Sequence, residues 1–135
     1  MPADEAHTRV TPLILLVEDE VLIQEMLVEA LEEAGFSTLI IGDARSAALL
    51  FEEHVDEIRA LVTDINLDDD MNGWELARVA REHASDLPVV YVSGASGHEW
   101  AWRGVPNSLM ITKPFAPAQL VVAISSLLVA SDATP

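Results

Sequence analysis

Short apolar runs alternate with segments of helical period along the chain, and no repeat or low-complexity tract interrupts them. Leu13 to Val17 is continuously apolar, as in a strand buried on both faces. It ends abruptly in Glu18, Asp19 and Glu20. Beyond these acids Ile23, Leu27, Ala30, Leu31 and Ala34 share one helical face, with Gly35 where the helix should stop. Phe36 to Ile41 reads as a second strand, and Asp43 as the N-cap of a helix reaching His54. Ile58 to Thr63 forms a third strand that delivers Asp64 at its carboxyl end, and a polar loop follows from Asn66 to Asn72. Asn72 and Glu75 have capping-box spacing ahead of Leu76, Ala77 and Ala80.

A fourth strand is expected over Pro88 to Val92. Ser96 and Glu99 repeat the capping-box spacing before a short helix with Trp100 and Trp102, which Gly104 closes. Ser108 to Ile111 is the fifth strand. Pro117 opens a last helix with Leu120, Ile124, Leu127 and Leu128 inward. Such alternation predicts an α/β protein, a doubly wound five-stranded parallel sheet with five helices. In sheets of this kind ligands bind beyond the carboxyl ends of the strands.

Composition narrows the chemistry. The 135 residues suit one domain, and 7 Lys and Arg against 23 Asp and Glu give a net charge of −16. Nucleic-acid binding by counterion release is excluded as a direct activity, because it runs on basic side chains. Without cysteine there is neither a disulfide framework nor a thiolate metal site. The N-terminal segment is acidic before any apolar run and lacks the basic start of an export signal. Leu120 to Ala130 contains two serines and is far short of the roughly 20 residues that cross a bilayer. A soluble protein with no membrane partner is expected.

The strand ends carry the chemistry. Glu18 and Asp19 follow the first strand, Asp64 the third, Ser93 the fourth, Thr112 and Lys113 the fifth. Three converging carboxylates would repel by roughly 4 kcal/mol per pair at an effective dielectric near 20. A cation must therefore sit among them, and hard oxygen ligands suit Mg²⁺. Each signal alone has a bland reading: acids after a strand commonly form a solvated helix N-terminus, and a lysine before a proline is ordinarily a loop residue. Their joint occurrence at four strand ends points to a site that makes an aspartyl phosphate.

The stretches Leu15–Glu20, Val62–Leu67, Val92-Ser93-Gly94 and Thr112-Lys113-Pro114-Phe115 resemble the receiver domains of two-component response regulators. The resemblance implies a flavodoxin-like receiver fold over 13–130, flanked by tails over 1–12 and 131–135. It implies Asp64 as phosphoacceptor, Asp19 as direct Mg²⁺ ligand, and Glu18 acting through a metal-bound water. The backbone carbonyl of Asn66 would complete the protein's metal ligands. Ser93 and Lys113 would each hold a phosphoryl oxygen, Gly94 would keep access open, and the Lys113–Pro114 bond would be cis. Implied partners are a sensor histidine kinase or a histidine phosphotransfer protein, a downstream protein, and optionally a second copy in a homodimer. The cytoplasm is the expected compartment, and the domain is a signalling module rather than an enzyme.

Three departures from the family pattern stand out. The loop from Asp64 to Gly73 is one residue longer and carries Asp68-Asp69-Asp70, most simply a solvated acidic turn. Met110 replaces the usual aromatic three residues before Lys113, which removes the familiar rotamer switch, although a thioether can repack. Third, only Ser131 to Pro135 follow the receiver, so no output domain is expected in this chain. Apart from the family pattern, Trp100 and Trp102, two apart on a helix, cannot both face the core, so one should be exposed and available to a partner. Two other classes compete. A haloacid-dehalogenase-like phosphohydrolase would need a second Asp where Asn66 stands. A degenerate receiver that only binds partners would usually have lost the acids or the lysine kept here. The four histidines lack metal-ligand spacing.

Overall fold

A computed structural model describes residues 11–67, 70–95 and 97–133. The elements follow one another as β1 (Leu13–Val17), α1 (Val21–Glu33), β2 (Ser37–Ile41), α2 (Ala44–Glu53), β3 (Ile58–Asp64), α3 (Gly73–His83), β4 (Val89–Ser93), α4, β5 (Ser108–Thr112) and α5 (Pro117–Ala133). The fourth helix is short, a 3₁₀ turn over Gly97–Glu99 running into Trp100–Arg103. All strand pairs are parallel and the order is β2-β1-β3-β4-β5. The chain therefore reverses its winding between β1 and β3, and the crevice beyond their carboxyl ends is the natural ligand position of such a sheet.

Strand alternation divides the core in two. Ile14, Leu16, Val62, Val90 and Val92 point to one side, where Leu27 and Leu31 of α1 and Leu120, Ile124 and Leu128 of α5 cover them. Leu15, Val17, Leu61, Val89 and Tyr91 point to the other side, under Ala47 and Phe51 of α2 and Trp74, Leu76 and Ala80 of α3. Two buried faces explain why the strands read as continuous apolar runs.

Local chemistry places the helix ends as expected. The Asp43 carboxylate accepts from the Ser46 N–H at 2.7 Å. Asn72 and Glu75 form a complete capping box, each side chain accepting the other's backbone N–H at 3.0 Å. Gly35, at φ 96°, turns the chain out of α1 in a left-handed conformation that glycine adopts without strain. The Ser96 cap lies outside the described residues, and Glu99 instead pairs with Arg103 at 3.1 Å. Of the two tryptophans, Trp102 is 68% exposed, whereas the Trp100 indole donates to Ser108 at 2.9 Å. The last helix runs to Ala133.

Candidate active site at the carboxyl ends of β1, β3, β4 and β5

A protein of this size has few reasons to bury acids, yet Glu18 and Asp64 are 1% and 6% exposed. Glu18 follows β1, and its backbone N–H donates to the Ile41 carbonyl, continuing the β1–β2 ladder by one residue. This holds the carboxylate at the mouth of the sheet, where Oε2 accepts from the Glu20 N–H at 3.1 Å. Asp64 is the last residue of β3, and its Oδ1 accepts from the Asn66 N–H at 3.1 Å. The Thr63 hydroxyl donates to the Asp64 carbonyl oxygen at 2.8 Å. Against that same oxygen the first residue of α3 closes in, leaving room only for glycine: a Cβ on Gly73 would stand 2.3 Å away.

Lys113 links the two acids. Its Nζ lies 2.9 Å from Asp64 Oδ2 and 3.6 Å from Glu18 Oε1. The lysine is positioned from both sides: its backbone N–H donates to the Ser93 carbonyl at 2.9 Å, and the following Lys113–Pro114 bond is cis. Burial opposes its charge, but the hydrogen bond to Asp64 and the fields of Asp64, Glu18 and Glu20 outweigh burial and lift its pKa above the usual lysine value. Burial also pushes the Glu18 carboxyl up to about 7, against the opposing pull of the Glu20 N–H. This pocket holds more negative charge than its one ammonium comfortably neutralises.

The carboxylates of Glu18, Asp19 and Glu20 offer oxygens that all lie within 4.8 Å of one another. Asp19 and Glu20 are exposed beside the buried Glu18, so the cluster opens to solvent on one side. Every donor in this set is a hard carboxylate oxygen, which fits Mg²⁺ and fits poorly with softer metals. Glu20 was not among the expected ligands. Its part in the cluster follows from the turn into α1, where it stands at the N-cap and folds its N–H back onto Glu18.

Ser93 ends β4 fully buried, its Oγ accepting from the Ala95 N–H at 3.2 Å. Gly94 borders the lysine, a Cβ there standing 3.8 Å from that of Lys113. Asn66 is exposed at the rim. The sequence thus named residues that the fold gathers at one end of the sheet, with Lys113 joining Asp64 to Glu18 and with Asp19 beside Glu18. Asp68 and Asp69 lie outside the described residues. Asp70, next to them, is held by a two-pronged ion pair to Arg45 at 3.1 and 2.7 Å, and that contact draws its pKa below the usual value.

Beneath the site, Tyr91 faces Met110 across the β4–β5 ladder. Its hydroxyl accepts from the Val105 N–H at 3.0 Å, and its ring packs on Trp74 at 4.7 Å between centroids. The Arg103 guanidinium lies 5.6 Å over the same Trp74 ring. An aromatic pair on β4 and α3 thus borders the β5 position that Met110 fills.

Residues 14–125 match the family model described as the response regulator receiver domain. The receiver protein CpdR of Brucella abortus is 32% identical over 120 residues, spanning 87% of this chain and 98% of CpdR. The crystal structure of a response regulator receiver protein from Sinorhizobium medicae superposes with a TM-score of 0.86 at 38% identity, covering 90% of this chain and 97% of that one. The DNA-binding response regulator MtrA of Mycobacterium tuberculosis is 31% identical over 124 residues, 90% of this chain but 53% of MtrA. The chain thus spans about half the length of the MtrA proteins.

Proposed function

This chain belongs to the response regulator receiver domain family, and from that premise we propose that Asp64 accepts a phosphoryl group from a phosphohistidine of a sensor kinase or histidine phosphotransfer protein. A carboxylate oxygen of Asp64 attacks phosphorus, the phosphorus–nitrogen bond breaks as the acyl phosphate forms, and the imidazole nitrogen leaves with the electron pair. Such a transfer needs mainly positioning and charge neutralisation. Lys113 supplies an ammonium already held at Asp64 Oδ2, and the Ser93 hydroxyl supplies a second donor to the transferred group.

Asp19, Asp64 and the Asn66 backbone carbonyl would hold Mg²⁺ directly, with Glu18 acting through a bound water. When bound, that ion lowers the negative charge that the incoming phosphoryl group meets. The observation that carries the reading is the ammonium of Lys113 between two buried carboxylates. A receiver kept only as an interaction module has no need to bury two acids around one base.

The added charge on Asp64 then shifts the population between two packings of the strand ends and α4, and a downstream protein reads the difference. With Met110 at the position usually aromatic, this shift does not run through a rotating ring on β5. Phosphorylation by acetyl phosphate with Mg²⁺ tests the assignment. The wild-type chain should gain an acid-labile, hydroxylamine-sensitive phosphate, and Asp64→Asn should gain none. Undiminished label on Asp64→Asn would assign the chemistry to another residue.

A further inference from the structure

The β2 edge of the sheet is open and flanked by acids. β2 is an edge strand, and none of its residues is buried. The Ser37 N–H donates to the Pro12 carbonyl, and the Ile41 carbonyl accepts from the Glu18 N–H. Alternate residues of a parallel ladder turn their backbone groups to the same neighbour. Ser37, Leu39 and Ile41 therefore face β1, while the N–H and C=O groups of Thr38 and Ile40 face outward. Among the described residues no strand lies beyond them. Exposed edges are ordinarily guarded by a lysine, a proline or a bulge, and Ser37–Ile41 has none of these. Along the same edge runs a groove of about 590 Å³, lined by Val21 and Val28 of α1 and Ile40 of β2. Val21 and Ile40 are 62% and 42% exposed. Glu25, Glu29, Glu32 and Glu33 line it too, all exposed and none in an ion pair with a described residue. Glu25, Glu29 and Glu33 follow one another at i, i+4 spacing, where like charges repel. α5 contacts β3, β4 and β5, so the groove lies on the side of α1 away from it.

We propose that an extended segment of a partner protein, alternating basic and apolar residues, adds to β2 as a sixth strand. Main-chain hydrogen bonds to Thr38 and Ile40 give such a strand its hold, and the residues on either side of the sheet give selectivity. Successive side chains of a strand point to opposite faces. On the α1 side, lysine or arginine stems lie over Val21 and Ile40 while their charged ends reach the glutamates. On the other side, apolar residues meet Leu39 and Ile41, which pack against the core beneath α2. Charge selects this occupant. A second copy pairing β2 with β2 across a two-fold axis would set the same glutamates against each other. An anionic membrane or a nucleic acid would be repelled by them. A basic helix could enter the groove but would leave the outward backbone groups of Thr38 and Ile40 without partners, whereas a strand takes up both features. The contact is independent of the chemistry at Asp64.

The probe is a short peptide of alternating lysine and valine, capped at both ends and titrated to about millimolar into the full chain labelled with nitrogen-15. The amide signals of Thr38 and Ile40 should shift, and their exchange with deuterium should slow. Raising NaCl from about 50 mM to about 0.5 M shortens the screening length roughly threefold and should weaken binding about tenfold. The same peptide with glutamate in place of lysine should not bind. Glu25→Gln/Glu29→Gln, at two exposed positions, should bind about tenfold more weakly and with less dependence on salt. Ile40→Pro removes an outward N–H and leaves the β1–β2 ladder its donors, so it should abolish binding in a chain whose other amide signals show it folded. Absence of any shift in the wild type overturns the proposal, as do shifts centred away from β2. Equal binding of the glutamate peptide, or undiminished binding by Glu25→Gln/Glu29→Gln, overturns the charge selection. Binding that survives in Ile40→Pro overturns the strand addition.

Discussion

Gly73 and Asp64 are in a contact that no other residue at position 73 could make: a Cβ there would stand 2.3 Å from the Asp64 carbonyl oxygen and 2.8 Å from the Ile65 Cα. The Gly73 N–H donates to the Ile65 carbonyl at 2.9 Å, so α3 begins tightly against the strand end that carries the acceptor. Gly73→Ala must push backbone against backbone. It should lose about 1–3 kcal/mol of stability in urea denaturation, in the range of an overpacked core. A midpoint equal to that of the wild type would contradict the close approach.

Lys113→Ala removes the one ammonium between Glu18 and Asp64. Without Mg²⁺ the two buried carboxylates then face each other unpaired, and stability should fall by about 1–3 kcal/mol. That is less than for a fully buried pair, because the lysine is partly exposed and Glu18 can take up a proton. Addition of Mg²⁺ should restore most of the difference in thermal denaturation. Phosphorylation should change the tryptophan fluorescence of the wild type and leave that of the variant unaltered. A change in the variant equal to that of the wild type would show that Lys113 does not couple phosphorylation to conformation.

Alkaline pH probes the core beneath the site. Burial lifts the Tyr91 phenol above its ordinary value of 10, outweighing the Val105 N–H and the nearby Arg81 and Arg78. Between 10 and that higher folded value the unfolded chain has released its proton while the folded chain retains it. The unfolded state then binds fewer protons, so stability falls as pH rises through this window and is fully present below it. Tyr91→Phe should flatten that decline in denaturation experiments from neutral to alkaline pH, at a constant penalty of about 1 kcal/mol for the Val105 N–H left without its acceptor. An identical slope in the variant would place the proton release elsewhere.

The elements that the sequence disclosed are those set by neighbours along the chain. The limits of β1, the Asp43 cap and the Asn72–Glu75 capping box all follow from residues within four positions of one another. Gathering Glu18, Asp64, Ser93 and Lys113 at one end was also readable, because each follows a strand and parallel strands finish on the same edge. Contacts between distant residues were not readable. Arg45 meets Asp70 from 25 residues away, and Tyr91 meets Val105 from 14, by routes that only the packing of helices defines. The reason for Gly73 was equally hidden, since any small residue before a tryptophan would have suited the helical pattern. The boundary between β3 and its loop fell one residue short for a physical reason. Asp64 is hydrophilic, yet it completes the ladder opposite Val92.

The central claim is a pocket whose clustered acids require a divalent cation, and calorimetric titration of the chain with MgCl₂ measures this directly. The account predicts uptake of one ion per chain, abolished in Asp19→Asn and undiminished in Glu52→Gln, an acid exposed on α2. No heat of binding in the wild type, or equal uptake by Asp19→Asn, would contradict it.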